Sequence, residues 1–271
     1  RISETAAKLV PTMVVLYMIS VIVILFIHVG EVPKYFMMIF TDAFAANNYN
    51  DDPFLGGAVG GLILWGIRRG AFSNEAGAGS AAIAHSAVKT KYAASEGIVA
   101  LLEPFIDTVL ICTMTALVII FFNMDAGAFE YGNAVGSTVL LTDSQTYVGG
   151  VDLTSMAYDS VIPGFRYVLT IAIIMFAFST MISWSYYGQT AWAYLFGRSR
   201  KMEIVYKLIF CGFIVIGTSI NLVSVIKFSD AMVFAMCFPN FIGIYFLLPK
   251  IKEEVKLYDD HMMEIDSRPD K

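Results

Sequence analysis

Charge is scarce in this sequence. Only 15% of its 271 residues are charged, whereas a soluble domain carries about 25%. Hydrophobic residues make up 57%, and the mean hydropathy is +0.67. This composition predicts an all-α integral membrane protein. The sequence also has no basic stripe and no nucleic-acid-binding motif, so we expect no nucleic-acid partner.

Histidine and cysteine are also rare. The sequence has only three histidines: His28, His85 and His261. They form no His-Glu-x-x-His motif, and no Ser/His/Asp set faces one compartment, so a membrane enzyme is disfavoured and no organic cofactor is expected. The three cysteines lie in apolar runs and are expected to be buried without disulfides: Cys112, Cys211 and Cys237.

Long apolar runs dominate what is present. Crossing a bilayer as a helix takes about 20 apolar residues. Six segments meet this requirement: 11–28, 58–88, 97–122, 164–195, 203–223 and 228–249. We therefore predict a transmembrane core over 11–249, preceded by a stub (1–10) and followed by a polar, frayed tail (250–271).

The loops between these spans differ sharply in charge. The alternate loops 29–57 and 123–163 contain Lys34 as their only basic residue, whereas the segments 1–10, 89–96, 196–202 and 250–271 are rich in Lys and Arg. The positive-inside rule then predicts that both ends of this segment are cytoplasmic. We predict no helix in the outer loop 123–163, which would either cap a pathway or form a variable surface loop.

The second span carries polar residues and glycines at mid-membrane depth. At 1.5 Å per residue, Gly70 lies about 20 Å into the bilayer, and the sequence FSNEAG follows shortly after. A helix opens at this depth only where it lines a protein cavity, so we predict a break near 70–79. The helix ends at such a break suit the two charges of an amino-acid zwitterion. The alternative is a continuous helix whose small residues pack against neighbouring helices.

Charged residues also lie near mid-membrane. A central charge costs at least ~2.5–3.5 kcal/mol on insertion scales, so Arg68 and Arg69 each need a partner or water. Glu103 and Asp107 are four residues apart, and therefore share one face of the third span. We expect Arg69 to pair with Asp107 or Glu75, in a structural charge network that includes Glu103. A proton relay through Glu103 and Asp107 is the alternative.

Four further features stand out in the spans. Ser179 and Thr180 in the fourth span could supply oxygen ligands to Na⁺ or bond back to their own helix carbonyls. Trp184, one turn later, could line a small pocket or belong to the core. His85 is expected to be a hydrogen-bonded packing residue rather than a proton carrier. Pro239 predicts a kink in the last span because proline lacks the helical N–H.

Four blocks occur in a fixed order: GAFSNEAGAGSAAIAH, EPFIDTVLICTMTALVI, FAFSTMISWSYYG and FPN. Together they resemble the alanine or glycine:cation symporter family, and the resemblance covers most of 1–249. Such transporters are similar to the LeuT fold, with two inverted five-helix repeats whose first helices are broken. The resemblance implies that this chain, which begins without methionine, is a C-terminal half: the second repeat plus the preceding helix, without the N-terminal repeat.

The resemblance also implies roles. The intact protein would couple Na⁺ entry to uptake of alanine or glycine across the cell membrane by alternating access. Trp184 and the unwound segment would bind the substrate, the latter through Phe72, Ser73, Asn74, Glu75 and Gly77. Ser179 and Thr180 would bind Na⁺. The remaining surfaces would contact membrane lipid and the missing N-terminal repeat.

The distribution of polar residues distinguishes a transporter from a channel. A channel would need a polar stripe along several spans, whereas the polar residues here gather at one depth. A transporter of another small substrate, or an H⁺-coupled variant, is the alternative that stays open. The Gly and Ala content of residues 76–84, together with the bulk of Trp184, favours a small pocket.

Overall fold

The computed structural model describes residues 2–44, 58–130 and 138–267, with side chains at 11–41, 66–130 and 138–267. Its first helices are α1 (Ile2–Ile27), α2 (Val32–Phe44), α3 (Ala58–Asn74) and α4 (Ser80–His85). A nearly continuous run follows: α5 (Ala93–Ala100), α6 (Leu102–Pro104), a π-helical segment (Phe105–Cys112) and α7 (Thr113–Ala126). The remainder is β1 (Thr138–Leu140), β2 (Tyr147–Gly149), α8 (Val151–Val161), α9 (Phe165–Phe196), α10 (Arg200–Ser219) and α11 (Leu222–Asp266).

Several of these helices are long and apolar enough to cross a membrane. Within the described residues there are four such stretches: Ala93–Ala126, Phe165–Phe196, Arg200–Ser219 and Leu222–Asp266. The pair Pro11–Ile27 and Val32–Thr41 qualifies only as a combined span, bent by 101°. The predicted second span corresponds to α3 and α4, which are separated by a helix break. By length and composition, the chain is a multi-pass membrane protein.

The apolar faces of these spans are largely uncovered. Only 6% of the most apolar stretch of α10, and 6% of that of α11, is buried. Such surfaces need lipid or further protein around them. Cys112 and Cys211 are also exposed, so the prediction that all three cysteines are buried is wrong. Exposure of a thiol in these runs is compatible with an apolar surrounding, because cysteine behaves as a small hydrophobe.

One compact unit comprises Arg1–Gly66 and Leu110–Ser183. Its hydrophobic core forms where α1, α7 and α8 meet. Tyr158 of α8 is fully buried there, with its ring centroid 5.4 Å from that of Phe165 and 6.0 Å from that of Tyr17. Burial raises the pKa of Tyr158 well above its usual value because a phenolate would lose its hydration.

The outer loop 123–163 is more regular than the sequence indicates. The prediction that it holds no helix is wrong, because Val151–Val161 form α8 and β1 pairs antiparallel with β2. At the start of this loop, Asn123 Oδ1 accepts a hydrogen bond from the Phe129 N–H at 2.8 Å. Only Leu153, Ala157 and Tyr158 are buried in α8, a pattern too short to identify a helix from sequence.

The second compact unit comprises Ile67–Val109 and Trp184–Lys271. Within it, the Tyr206 side chain of α10 occupies the space that a Cβ at Gly188 of α9 would need. The Trp192 ring centroid lies 6.0 Å from that of Tyr206. The glycine therefore permits close approach of these two helices, a packing role that its sequence context alone does not reveal.

Helix α11 continues from Leu222 to Asp266, through Pro239. The prediction that the chain frays from residue 250 is therefore wrong. The Tyr92 ring at the start of α5 stacks on His261 with 4.6 Å between ring centroids, and lies 6.0 Å from the ring of Tyr258. These contacts join residues more than 160 positions apart in the chain, so local sequence does not predict them.

Candidate functional site

Helix α3 ends at Asn74 and α4 begins at Ser80, which leaves residues 75–79 outside any helix. Three of these five residues have left-handed backbone angles, with φ of 54° at Glu75, 83° at Gly77 and 91° at Gly79. Glycine adopts this region readily, but a residue such as Glu75 is strained there by about 1–3 kcal/mol. Contacts from other helices must therefore hold this segment open.

Asn74 anchors the first end of the break. The side chain is 9% exposed, and its Oδ1 accepts a hydrogen bond from the Ala76 N–H at 3.0 Å. Its Nδ2 donates to Thr108 Oγ1 of the π-helical segment, also at 3.0 Å. The asparagine therefore closes a local turn and ties that turn to a second helix. Its predicted contact with substrate stays a prediction.

Two consecutive residues of α11 contact the second part of the break. Asn240 Nδ2 donates to the Gly77 carbonyl at 2.9 Å. A Cβ at Gly79 would lie 3.1 Å from the Asn240 side chain, and a Cβ at Gly77 would lie 3.4 Å from the ring of Phe241. Both glycines are thus favoured by their backbone angles, and Gly79 is favoured also by the closeness of Asn240, whereas a Cβ at Gly77 would make an ordinary contact with Phe241.

Two polar side chains at the break, Glu75 and Ser80, face each other. The Glu75 carboxylate faces the side chains of Ser80 and Trp184. Ser80 is 4% exposed, and its Oγ approaches the Glu75 carboxylate without reaching full hydrogen-bonding geometry with any group in the described part of the chain. Trp184 itself lies edge-on to Tyr187, with 6.0 Å between ring centroids. A buried hydroxyl whose hydrogen bond is incompletely formed is unfavourable, so a polar ligand is favoured here.

The structure brings some of the predicted substrate residues together and leaves others apart. Glu75 and Trp184 face each other, whereas Phe72 and Ser73 are exposed on the last turn of α3. The guanidinium of Arg69 lies 5.6 Å from the centroid of the Phe72 ring. Substrate contact by Phe72 and Ser73 stays a prediction.

The prediction that Arg69 pairs with Asp107 or Glu75 is wrong. Among the described residues, Arg69 forms its ion pair with Asp230 of α11, not with Asp107 or Glu75. The Arg69 side chain is 41% exposed and that of Asp230 is 20% exposed. Asp230 is the only carboxylate within the predicted span 228–249, and an isolated carboxylate in an apolar run was the sequence signal for it.

Glu103 and Asp107 also have other partners. His85 Nδ1 lies 2.7 Å from Glu96 Oε1, and its Nε2 lies 3.4 Å from Glu103 Oε2. Asp107 accepts a hydrogen bond from Thr108 Oγ1 at 3.3 Å. Within the described ranges, separate contacts on different helices thus replace the predicted single charge network. Sequence spacing placed the two acids on one face but did not identify the residues opposite.

Ser179 and Thr180 belong to the other compact unit. Ser179 is 7% exposed, and its hydroxyl donates to the Phe176 carbonyl at 2.9 Å, whereas Thr180 is exposed. A hydroxyl that donates to its own helix keeps lone pairs that can face a cation. Their role in binding Na⁺ stays a prediction.

Comparison with known proteins identifies the family. A protein-family model described as the sodium:alanine symporter family matches residues 1–270. This chain belongs to the sodium:alanine symporter family. The family predicted from the sequence blocks is therefore confirmed, and it is a family of transporters rather than enzymes.

Individual relatives within the family carry related descriptions. The chain is 33% identical over 259 residues to a "Sodium/alanine symporter AgcS" of Methanococcus maripaludis, covering 96% of the chain and 52% of the relative. It is 31% identical to a "Sodium/proton-dependent alanine carrier protein" of Bacillus sp., covering 97% and 58%. It is also 31% identical to a "Probable sodium/glutamine symporter GlnT" of Bacillus subtilis, covering 93% and 48%. The chain thus spans about half the length of these relatives.

Proposed function

We propose that the full-length protein imports a small neutral amino acid, alanine or glycine, together with Na⁺ by alternating access. The observation that carries this proposal is the broken helix at 75–79, with its buried Ser80 hydroxyl and the Glu75 carboxylate, in a chain of this family. We place the protein in the cell membrane, surrounded by lipid, with both ends of this segment in the cytoplasm.

The activity belongs to the whole polypeptide. The chain spans about half the length of its relatives, and the apolar faces of α10 and α11 are largely uncovered. We propose that an N-terminal repeat completes a LeuT-like fold and supplies the remaining contacts to substrate and ion. Na⁺ is the coupling ion in this proposal, and no organic cofactor takes part.

The chemistry of the break suits an amino acid. The Glu75 carboxylate is complementary to the substrate ammonium group, and Ser80 Oγ, which lies beside that carboxylate, can accept a further hydrogen bond. Charge-assisted hydrogen bonds of this kind are about twice as strong as neutral ones. Phe72, Ser73 and the backbone around Gly77 would complete this side of the site.

Trp184 limits the size of the substrate side chain in this proposal. Its ring faces Glu75 and lies edge-on to Tyr187, so a substrate held by Glu75 would meet an aromatic wall. One relative is described as a sodium/alanine symporter and another as a probable sodium/glutamine symporter. Family membership alone therefore does not determine which substrate side chain is accepted. The indole therefore favours alanine or glycine over a larger amino acid.

Proton coupling is the second candidate. His85 lies between Glu96 and Glu103, which forms a titratable cluster beyond the broken helix. One relative is described as dependent on both sodium and protons. In this alternative the cluster binds and releases a proton during the transport cycle, and uptake follows a pH gradient when Na⁺ is absent.

The experiment is uptake of radiolabelled alanine by the full-length protein in proteoliposomes. An inward Na⁺ gradient, a K⁺ gradient and a pH gradient are imposed in parallel. The proposal predicts accumulation only with Na⁺, with competition by glycine but not by leucine. Accumulation driven by the pH gradient alone would support the proton-coupled candidate. No cation-driven accumulation by folded protein would contradict both.

Two serine variants test whether the broken segment takes part in this activity. Ser80→Ala removes the buried hydroxyl and is expected to raise the KM for alanine about fivefold, the equivalent of one hydrogen bond. Ser86→Ala is the matched control because Ser86 is exposed and its hydroxyl donates to the Ile83 carbonyl. Equal KM values in both variants would remove Ser80 from the proposed site.

A further inference from the structure

Helix α11 reaches into the break through one amide group. The donor is Asn240 Nδ2 and the acceptor is the Gly77 carbonyl, 2.9 Å apart. A carbonyl oxygen only accepts hydrogen bonds, so this contact fixes which end of the amide faces the segment. The bond joins residues 163 positions apart, and Asn240 is part of the FPN block.

The neighbouring glycines show how closely the amide fits. Gly79 has φ of 91°, and a Cβ there would lie 3.1–3.3 Å from three atoms of the Asn240 side chain. Gly77 has φ of 83° and faces the Phe241 ring. The Asn240 side chain therefore lies close beside the position that a Cβ at Gly79 would take, so packing as well as the hydrogen bond positions it.

The segment is thus anchored on both sides of Glu75. On one side, Asn74 bonds to Thr108 and to the Ala76 N–H. On the other side, Gly77 bonds to Asn240. Glu75 has φ of 54°, an angle that a non-glycine residue keeps only when its surroundings enforce it. The two anchors provide that enforcement.

We infer that Asn240 is a positioning residue for transport: its amide holds the Gly77 carbonyl and so keeps Glu75 oriented toward the substrate. This inference rests on the proposed function. Without the amide, residues 75–79 lose one of their two anchors, and substrate binding must then order the segment. The cost appears as weaker substrate binding rather than as a slower transport cycle.

Two substitutions separate the hydrogen bond from packing. Asn240→Asp keeps the shape of the side chain but replaces the amide donor with a carboxylate, which only accepts hydrogen bonds. Asn240→Ala removes both the donor and the volume. Asn221→Asp is the matched control, since it places the same charge at the residue that caps the N-terminus of α11, where Asn221 Oδ1 only accepts from the Val223 N–H. A packing role alone would leave Asn240→Asp close to wild type.

The first readout is transport kinetics of the full-length protein in proteoliposomes. We expect Asn240→Asp and Asn240→Ala to raise the KM for alanine about fivefold, the equivalent of one lost hydrogen bond, with little change in Vmax. Asn221→Asp should match wild type. A wild-type KM in Asn240→Asp would overturn the inference, and so would a loss confined to Vmax.

The second readout does not depend on transport. Hydrogen–deuterium exchange of the peptide covering residues 75–82 should be about fivefold faster in Asn240→Asp than in wild type or Asn221→Asp. Unchanged exchange would overturn the positioning role even if uptake were absent. Failure of wild type to accumulate alanine, with faster exchange in the variant, would contradict the proposed function alone. Failure of both Asn240 variants to fold would also overturn the inference, because it assigns a local role.

Discussion

Arg69 and Asp230 form an ion pair that joins α3 to α11, five residues before the helix break. A charge near mid-membrane needs a partner, and this pair meets that need for Arg69. Because Asp230 and Asn240 lie on the same helix, α11 contacts the broken helix at two places: before the break through charge and within it through an amide.

Breaking this pair should destabilise the protein. We expect Asp230→Asn to lower the free energy of unfolding by about 1–3 kcal/mol, less than for a fully buried pair because 41% of the Arg69 side chain is exposed. The charge swap Arg69→Asp with Asp230→Arg should recover part of the loss, measured by thermal unfolding in detergent. Arg68→Gln controls for removal of a neighbouring positive charge. A swap no better than the sum of the single variants would argue against the pair.

The proposed Na⁺ role of Ser179 and Thr180 predicts a change in ion dependence. Replacing both with Ala should raise the Na⁺ concentration needed for half-maximal uptake, because two oxygen ligands are lost. Thr218 and Ser219 are the matched control, since they are also adjacent and both donate to the Val215 carbonyl. The same Na⁺ dependence in both double variants would remove Ser179 and Thr180 from the ion site.

Trp184 should set the upper size of the substrate. We expect Trp184→Ala to admit larger amino acids as competitors of alanine uptake, because removing the indole widens the space beside Glu75. Competition by leucine and glutamine measures this change. Trp192→Ala is the control, because Trp192 instead contacts Phe196, with ring centroids 4.3 Å apart. An unaltered competitor profile in Trp184→Ala would assign Trp184 to packing.

Tyr158 predicts an alkaline loss of stability. Its folded-state pKa is raised by burial above the unfolded value of about 10. The unfolded state therefore loses a proton that the folded state keeps, so the stability contribution is complete below about pH 10 and declines as the pH rises above it. The midpoint of thermal unfolding, measured between about pH 9 and 11, should decline less steeply in Tyr158→Phe than in wild type.

Tyr167→Phe provides the comparison for that slope, because Tyr167 is 66% exposed. It should retain the wild-type decline. At neutral pH, Tyr158→Phe should cost less than about 1 kcal/mol, since its hydroxyl approaches the Tyr17 side chain without reaching full hydrogen-bonding geometry in the described ranges. An unchanged alkaline slope in Tyr158→Phe would show that Tyr158 ionises as easily in the folded protein as in the unfolded one.

The break in the second span could be predicted from the sequence because the residues there are unfavourable inside a membrane helix. Ser-Asn-Glu with flanking glycines is costly inside a membrane helix, and the break at 75–79 lies within the predicted range of 70–79. The contacts that hold the broken segment in place could not be predicted from the sequence. Asp230 and Asn240 lie more than 160 residues from their partners, and helix depth alone made Asp107 an equally reasonable partner for Arg69.

Helix α8 and the C-terminal part of α11 illustrate the same limit. In both segments apolar residues recur at helical spacing, as at Leu153 and Ala157 or at Ile251 and Val255, but the segments are too polar to stand out as membrane spans. Each makes aromatic contacts to distant elements: Tyr158 of α8 to Tyr17, and His261 of α11 to Tyr92. Tertiary packing, rather than local propensity, decides whether such segments are helical.

The most direct test of the substrate site is protection of an introduced cysteine in the full-length protein. In a background without Cys112, Cys211 and Cys237, Ser73→Cys places a thiol on the exposed last turn before the break, and Ser86→Cys provides an exposed control beyond α4. We predict that alanine slows labelling of the cysteine at position 73 by a thiol reagent only when Na⁺ is present, and leaves the control unchanged. Equal labelling with and without alanine, in protein that still accumulates alanine, would contradict a substrate site at the broken helix.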